Sequence, residues 1–246
     1  MTLKNRIHKV LLAHPILGFW VYELVRLFKN VSGFGASTST YYRLKHAGFE
    51  PSTIFDIGAN RAEWSRDVKR VFPNATFVLF EPQFEMVPFL KRFTEDFPDS
   101  HFEQAALGAE SGTAEIEIWG DFAGTTMMFN KGDKPTREIK VLSVDHLLSL
   151  GTTPPDCMKI DVQGFELEVL SGAESCLGTT EVIVLEVALY ELNPGQPDFK
   201  DVISFMDSRG YLVFDFHSLK RDKVTKKLRY MDVVFVKSDS VLRWKR

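Results

Sequence analysis

The stretch Phe55-Asp56-Ile57-Gly58-Ala59-Asn60 constrains this chain more than any other. An apolar run from Ser52 to Ile57 carries an acid at Asp56 and ends in a Gly-Ala-Asn turn, and a helix is expected from about Arg61. Strand, tight turn and helix in that order open the first unit of a nucleotide-binding α/β domain. Gly58 permits the sharp turn and a close approach of ligand to backbone. Asp56 falls near the carboxyl end of the strand, the edge at which such sheets bind their ligands. A second strand, Thr76-Phe77-Val78-Leu79-Phe80, ends in Glu81-Pro82. An acid at that point can accept hydrogen bonds from both hydroxyls of an adenosine ribose.

Two ligand classes compete for such a crevice. A dinucleotide site wants glycines after the first turn, so that a pyrophosphate can reach the helix N-terminus. Here Asn60 and Glu63 hold the later two glycine positions. Asp56 and Glu63 would also set carboxylates beside a pyrophosphate, the wrong sign of charge. A cationic ligand without phosphates suits these residues better. S-adenosylmethionine carries a sulfonium, an ammonium and a ribose, and acids suit all three. The formal net charge of −3 gives no general attraction to nucleic acid, which is not expected as a partner.

Three later stretches sharpen the reading. Pro155-Asp156-Cys157-Met158-Lys159-Ile160-Asp161-Val162-Gln163-Gly164-Phe165-Glu166 is followed by Val169-Leu170-Ser171-Gly172-Ala173, and then by the acid-tipped strand Val182-Ile183-Val184-Leu185-Glu186. With Ala105-Ala106-Leu107-Gly108 and the two strand ends above, this chain resembles the FkbM-type S-adenosylmethionine-dependent methyltransferases over about residues 50 to 237. The resemblance implies a Rossmann-like class I methyltransferase that methylates hydroxyl oxygens of sugars, glycolipids or polyketide-type metabolites. Two positions depart from the family's pattern. Ala62 stands where a Gly is usual, a change a helix start is expected to accept. Gln163 stands where a Glu is usual, which keeps hydrogen bonding but removes charge and base character. Gln163 therefore keeps open an alternative, a donor-binding scaffold with impaired catalysis. N-methylation or protein methylation is a further alternative, although Asp161-Val162-Gln163-Gly164 stands where a planar-nitrogen methylase would carry Asn-Pro-Pro-Tyr.

The remaining pattern gives an α/β fold with a mostly parallel, seven-stranded sheet and helices on both faces. Helices are expected over Ser37 to Ala47, Ala62 to Val71, Phe84 to Phe97, Ser143 to Leu148 and Phe199 to Arg209. Strand three is expected over Phe102 to Ala106, strand four over Cys157 to Val162 and strand five over Val182 to Val187. Tyr211 to Phe216 and Met231 to Val236 form an antiparallel pair that closes the sheet. Thr113 to Trp119 and Arg137 to Leu142 alternate as strands and pair with each other. Between them, Gly120 to Thr136 reads as a substrate loop or an ordinary hairpin connection.

The donor site is expected to use Asp56, Gly58, Asn60 and Glu81, with Glu81 on the ribose and Asp56 organising the methionine end through the loop. Gln104 and Ala105, with Glu103, fall where an adenine edge is met. Asp161, Lys159 and Glu186 are the catalytic candidates. Asp161 leads as general base or acceptor-orienting group, since an apolar strand rarely carries Lys and Asp without a reason; a buried ion pair is the plainer explanation. Glu166 is a candidate helix cap, and His146 and His217 read as structural. No metal is expected, because no third ligand joins Asp161 and Glu186 by spacing.

With 246 residues and 44% hydrophobic residues, the chain suits one domain with a real core and a small appendage. Residues 1–48 read as an N-terminal helical extension and 49–246 as the methyltransferase domain. The apolar run from Val10 to Tyr22 follows Lys4, Arg6 and Lys9 but lacks a cleavage site, is too short to span a bilayer and is broken at His14-Pro15. It is read either as helices packed on the domain or as an interfacial helix in peripheral contact with a membrane. Cys157 and Cys176 read as reduced core residues, which suits the cytoplasm. The expected partner is a small-molecule or glycan acceptor; the oligomeric state is not legible.

Overall fold

The structure, a computed structural model, describes residues 36–117 and 136–243. The expected helical segments before Ala36 and the connection at 118–135 lie outside the described residues.

Helix α1 (Ala36–His46) precedes β1 (Thr53–Ile57), α2 (Glu63–Val71) and β2 (Thr76–Phe80). A short 3-10 turn at Phe84–Met86 leads into α3 (Val87–Asp96), then β3 (His101–Glu103), β4 (Ala106–Leu107), β5 (Gly112–Glu117) and β6 (Thr136–Leu142). The remaining elements are α4 (Val144–Ser149), β7 (Cys157–Ile160), α5 (Glu166–Ser171), β8 (Val182–Ala188), α6 (Phe199–Ser208), β9 (Tyr211–Arg221), β10 (Leu228–Lys237) and a short 3-10 turn at Val241–Arg243. Every residue of β1, β7 and β8 is buried, as expected of strands covered on both faces. Helix starts are written locally: Ser143 accepts from the His146 N–H, and Asp198 forms a reciprocal capping box with Asp201.

Seven strands form one sheet in the order β3-β2-β1-β7-β8-β10-β9. The strands from β3 to β8 run parallel, and β10 lies antiparallel to both β8 and β9. The chain winds outward from β1 in one direction and from β7 in the other. Neighbouring loops thus part at the β1/β7 junction, which opens a crevice at the carboxyl ends of those strands.

Apolar layers cover the sheet on both sides. One packs Phe55, Ile57, Phe80, Met158 and Leu185 against α5 and α6. The other packs Ile54, Phe77, Leu79 and Val184 against α1, α2 and α3. Tyr41 and Leu44 of α1 are fully buried in this second layer. The described part of the expected N-terminal extension, α1, thus packs on the sheet through Tyr41 and Leu44.

Two strand assignments change. Expected strand three is split: the Ala105 N–H donates to the Glu103 carbonyl at 3.0 Å, and this tight turn hands the chain to a second sheet, β4-β6-β5. That sheet holds the expected pairing of β5 with β6. The closing hairpin is longer than expected, with β9 running on to Arg221.

The crevice depends on one close approach. Gly58 has φ +79°, and a Cβ there would lie 2.0 Å from the Asp161 carbonyl oxygen. The Asp161 N–H in turn donates to the Ile57 carbonyl at 3.0 Å. Ala62, at the N-cap of α2, has φ +55°, in the left-handed region. The usual glycine would be unstrained there, so the alanine that a helix start is expected to accept costs about 1–2 kcal/mol of backbone strain. Gly58→Ala should destabilise the domain by at least about 1–3 kcal/mol in urea unfolding, because the clash is with backbone and cannot be relieved by a rotamer change. Unchanged stability would mean the two strand ends do not meet as described.

Candidate active site

A cavity of about 350 Å³ opens at the carboxyl ends of β1, β2 and β7. Gly58, Ala59 and Asn60 form one wall, Glu81 and Pro82 a second, and Lys159, Asp161 and Gln163 a third. Ala106 and Ile116 of the second sheet add an apolar surface, and Lys220 of β9 reaches in from the far side.

The strand register explains why these charges gather. Asp56 lies opposite Lys159, and Lys159 opposite Val184. Glu186, two residues further along β8, lies opposite Asp232, which lies opposite His217. Residues opposite each other or two apart share a face, so Asp56, Lys159, Glu186, Asp232 and His217 form a polar band across one face of the sheet. All five are buried.

A buried ammonium costs several kcal/mol unless it is closely compensated. Lys159 Nζ lies 3.3 Å from Asp161 Oδ2 and 3.7 Å from Asp56 Oδ1, with the Trp64 ring 5.9 Å away. Burial alone would lower its pKa, but Asp161 and Asp56 outweigh burial and hold it above the ordinary lysine value. Asp161 is the counterpart. Burial pulls its pKa upward, yet Lys159, Lys220 and the Gln163 amide prevail and keep it below the usual carboxylate range. Asp56 does not line the cavity. It lies fully buried behind the loop and accepts from Ser65 Oγ at 2.5 Å. Burial raises its pKa against the pull of Lys159.

Gln163 has φ +58°, and its Nε2 donates to Asp161 Oδ1 at 2.8 Å and to Glu186 Oε2 at 2.6 Å. A neutral amide thus bridges two carboxylates, where a glutamate would bring a third negative charge. Glu186 stands behind the cavity and pairs with Lys220. Burial, then the nearby Asp161 charge, push its pKa up to about 8. Glu166 closes the β7–α5 loop by accepting from the N–H groups of Val162 at 3.2 Å and Gly164 at 3.0 Å. It pins the loop preceding α5 through its side chain.

Glu81 does similar work at the end of β2. Its Oε2 accepts from the Asn60 N–H at 2.9 Å and its Oε1 from the Gln83 N–H at 3.0 Å, which ties the two strand-end loops together. Burial pushes its pKa up to about 7, against those backbone donors.

The structure therefore brings Gly58, Asn60, Glu81, Lys159 and Asp161 to one cavity and sets Asp56 and Glu186 directly behind it. Two expected positions lie elsewhere. Ala105 is buried in the core and Gln104 is exposed; neither lines the cavity, because the turn at Glu103 presents Ala106 instead. His146 is exposed on α4, and His217 is paired with Asp232 at 3.1 Å. Among the described residues no cluster of His, Cys, Asp and Glu is arranged to hold a metal. Lys220, Trp64 and Asp232 were not singled out by sequence. Asp232 had a usable signal, an acid inside an apolar strand. Lys220 sits in a basic run that reads as a solvated turn until β9 is known to extend that far.

The methyltransferase FkbM domain matches residues 56–213. "Methyltransferase 1" of Beauveria bassiana is 22% identical over 189 residues, covering 67% of this chain and 74% of that protein. Hexuronic acid methyltransferase AglP of Haloferax volcanii is 27% identical over 139 residues, covering 56% of this chain and 48% of that protein. Among solved structures, magnesium protoporphyrin IX methyltransferase of Synechocystis PCC 6803, with bound S-adenosylmethionine, superposes with a TM-score of 0.49 at 9% identity over 86% of this chain and 89% of its own.

The Glu81 geometry carries a prediction for pH. Its pKa is higher folded, about 7, than the ordinary 4.5, so the folded state holds this proton more tightly. Its contribution to stability is full below about pH 4.5 and is lost as pH rises through about 7. Glu81→Gln should flatten the stability profile across that window by on the order of 3 kcal/mol in denaturant titrations at several pH values. An identical slope in the variant would show that the carboxyl is not buried as described.

Proposed function

The chain belongs to the FkbM methyltransferase family, and from that premise we propose that it transfers a methyl group to a hydroxyl oxygen of a sugar or a related small metabolite. The methyl donor is S-adenosylmethionine, which supplies an electrophilic methyl group on a sulfonium when bound. The residues present suit it. Glu81 has acceptor lone pairs for ribose hydroxyls, Ala106, Ile116 and Pro82 offer apolar surface for a base, and Asp161 offers negative charge for the cationic end. Gly58 lines the cavity with backbone alone, its missing Cβ being required by the Asp161 carbonyl beside it.

Asp161 is the observation that carries the acceptor chemistry. It is a cavity-facing carboxylate at the end of β7, held from two sides by Lys159 and Gln163. Such a group accepts a hydrogen bond from an acceptor hydroxyl and fixes the lone pair that attacks. Its lowered pKa makes it a poor proton store, so its assigned role is orientation and electrostatic support rather than strong-base catalysis. Glu186, whose raised pKa favours the proton, lies one hydrogen-bonded amide behind it. A sugar acceptor is supported by the archaeal relative, whose name specifies a hexuronic acid.

Two substitutions separate donor binding from chemistry. Glu81→Ala should weaken S-adenosylmethionine binding about tenfold to a hundredfold in calorimetry above pH 7, where the carboxylate form prevails, through the loss of hydrogen bonds to that group. Asp161→Asn should leave that affinity within about threefold and lower turnover about a hundredfold or more, followed as S-adenosylhomocysteine released against a glycoside panel. Full turnover in folded Asp161→Asn protein would remove the residue from the reaction.

A further inference from the structure

A second lobe of about 300 Å³ meets the first cavity between α1, α2 and the β9–β10 hairpin. The two share Glu63, Trp64, Lys159, Asp161 and Lys220, so the side chain assigned to the reacting hydroxyl stands at their junction. Gly58, Asn60 and Glu81 line only the first cavity. The second lobe adds Tyr41, Asp67, Ser218 and Asp232 instead.

Its chemistry is lopsided. Four carboxylates, from Glu63, Asp67, Asp161 and Asp232, face two ammonium groups, from Lys159 and Lys220. Both cations are already engaged within the site, Lys159 by Asp161 and Asp56 and Lys220 by Glu186. Asp232 is backed by His217, and Asp67 is paired on its outer side with Arg70 at 2.8 Å. Trp64, half-buried, is braced by donating from Nε1 to the Tyr41 hydroxyl at 2.7 Å. A fixed aromatic ring beside carboxylates offers an apolar surface to the C–H face of a sugar and acceptors to its hydroxyl groups. Among the described residues the lining thus carries four carboxylates against two ammonium groups, and an anion entering the lobe meets net negative charge.

Resting on the hydroxyl-transfer reading above, we propose that this second lobe is the acceptor subsite and that it selects a neutral, hydroxyl-rich ring over an anionic one. Trp64 forms its wall, Asp67 and Asp232 take the acceptor's hydroxyl hydrogens, and Asp161 receives the hydroxyl that is methylated.

The test uses the whole chain with paired probes: methyl gluco-, galacto- and mannopyranosides and the matching methyl uronides, assayed with S-adenosylmethionine at pH 7. Neutral members should exceed their uronides at least about tenfold in kcat/KM. Asp67→Asn and Asp232→Asn should each raise the KM for the neutral acceptor about tenfold, with donor affinity by calorimetry within about twofold. Asp67→Lys, on the outer side of α2, should narrow the preference for neutral over anionic acceptors. Equal or better use of the uronides, or an unchanged acceptor KM in both Asn variants, would overturn the assignment while leaving hydroxyl transfer standing. Donor binding with no transfer to any glycoside of either kind would contradict the hydroxyl-transfer reading, and this proposal with it.

Discussion

A buried ammonium organises this active site. Lys159 lies in a strand whose every residue is buried, and its charge is tolerated because Asp56 and Asp161 lie on either side of it. Removing both carboxylates would leave an uncompensated charge inside the domain, a loss of about 3–5 kcal/mol in comparable cases. The same demand fixes a cavity-lining group. Asp161 cannot turn away from Lys159, so a carboxylate is held at the mouth of the cavity whether or not a ligand is present. Gly58 completes the constraint, because only a residue without Cβ lets the β1 loop press against the Asp161 backbone.

Around that triad, other polar groups serve as fasteners. Glu81 and Glu166 each spend their oxygens on backbone N–H groups of strand-end loops, and burial raises the pKa of both to about 7. Gln163 joins Asp161 to Glu186 through its neutral amide, where the Glu of the family's usual pattern would bring a third negative charge. The loops are thereby set before any ligand arrives, a preorganisation that favours methyl transfer.

The sheet was legible because its information is local. Apolar runs ending in an acid mark β1, β2 and β8, and turn residues such as Gly58 and the Pro73-Asn74 pair mark their ends. Asp56, Glu81, Lys159 and Asp161 stood out because charges inside apolar strands are costly without a partner. What was not legible depends on register and on long-range packing. Nothing near Lys220 indicates that it pairs with Glu186, 34 residues earlier in the chain. Nothing near Tyr41 says that α1 belongs to the core and braces Trp64. Gln104 and Ala105 fall outside the cavity lining because side-chain direction alternates along a strand and the tight turn at Glu103 resets it.

The most direct measurement is a crystal structure of the full chain with S-adenosylhomocysteine bound. The ribose hydroxyls should lie within hydrogen-bond distance of Glu81, and the sulfur should face the junction of the two lobes beside Asp161. A ribose seated away from Glu81, or a sulfur directed away from Asp161, would contradict the account.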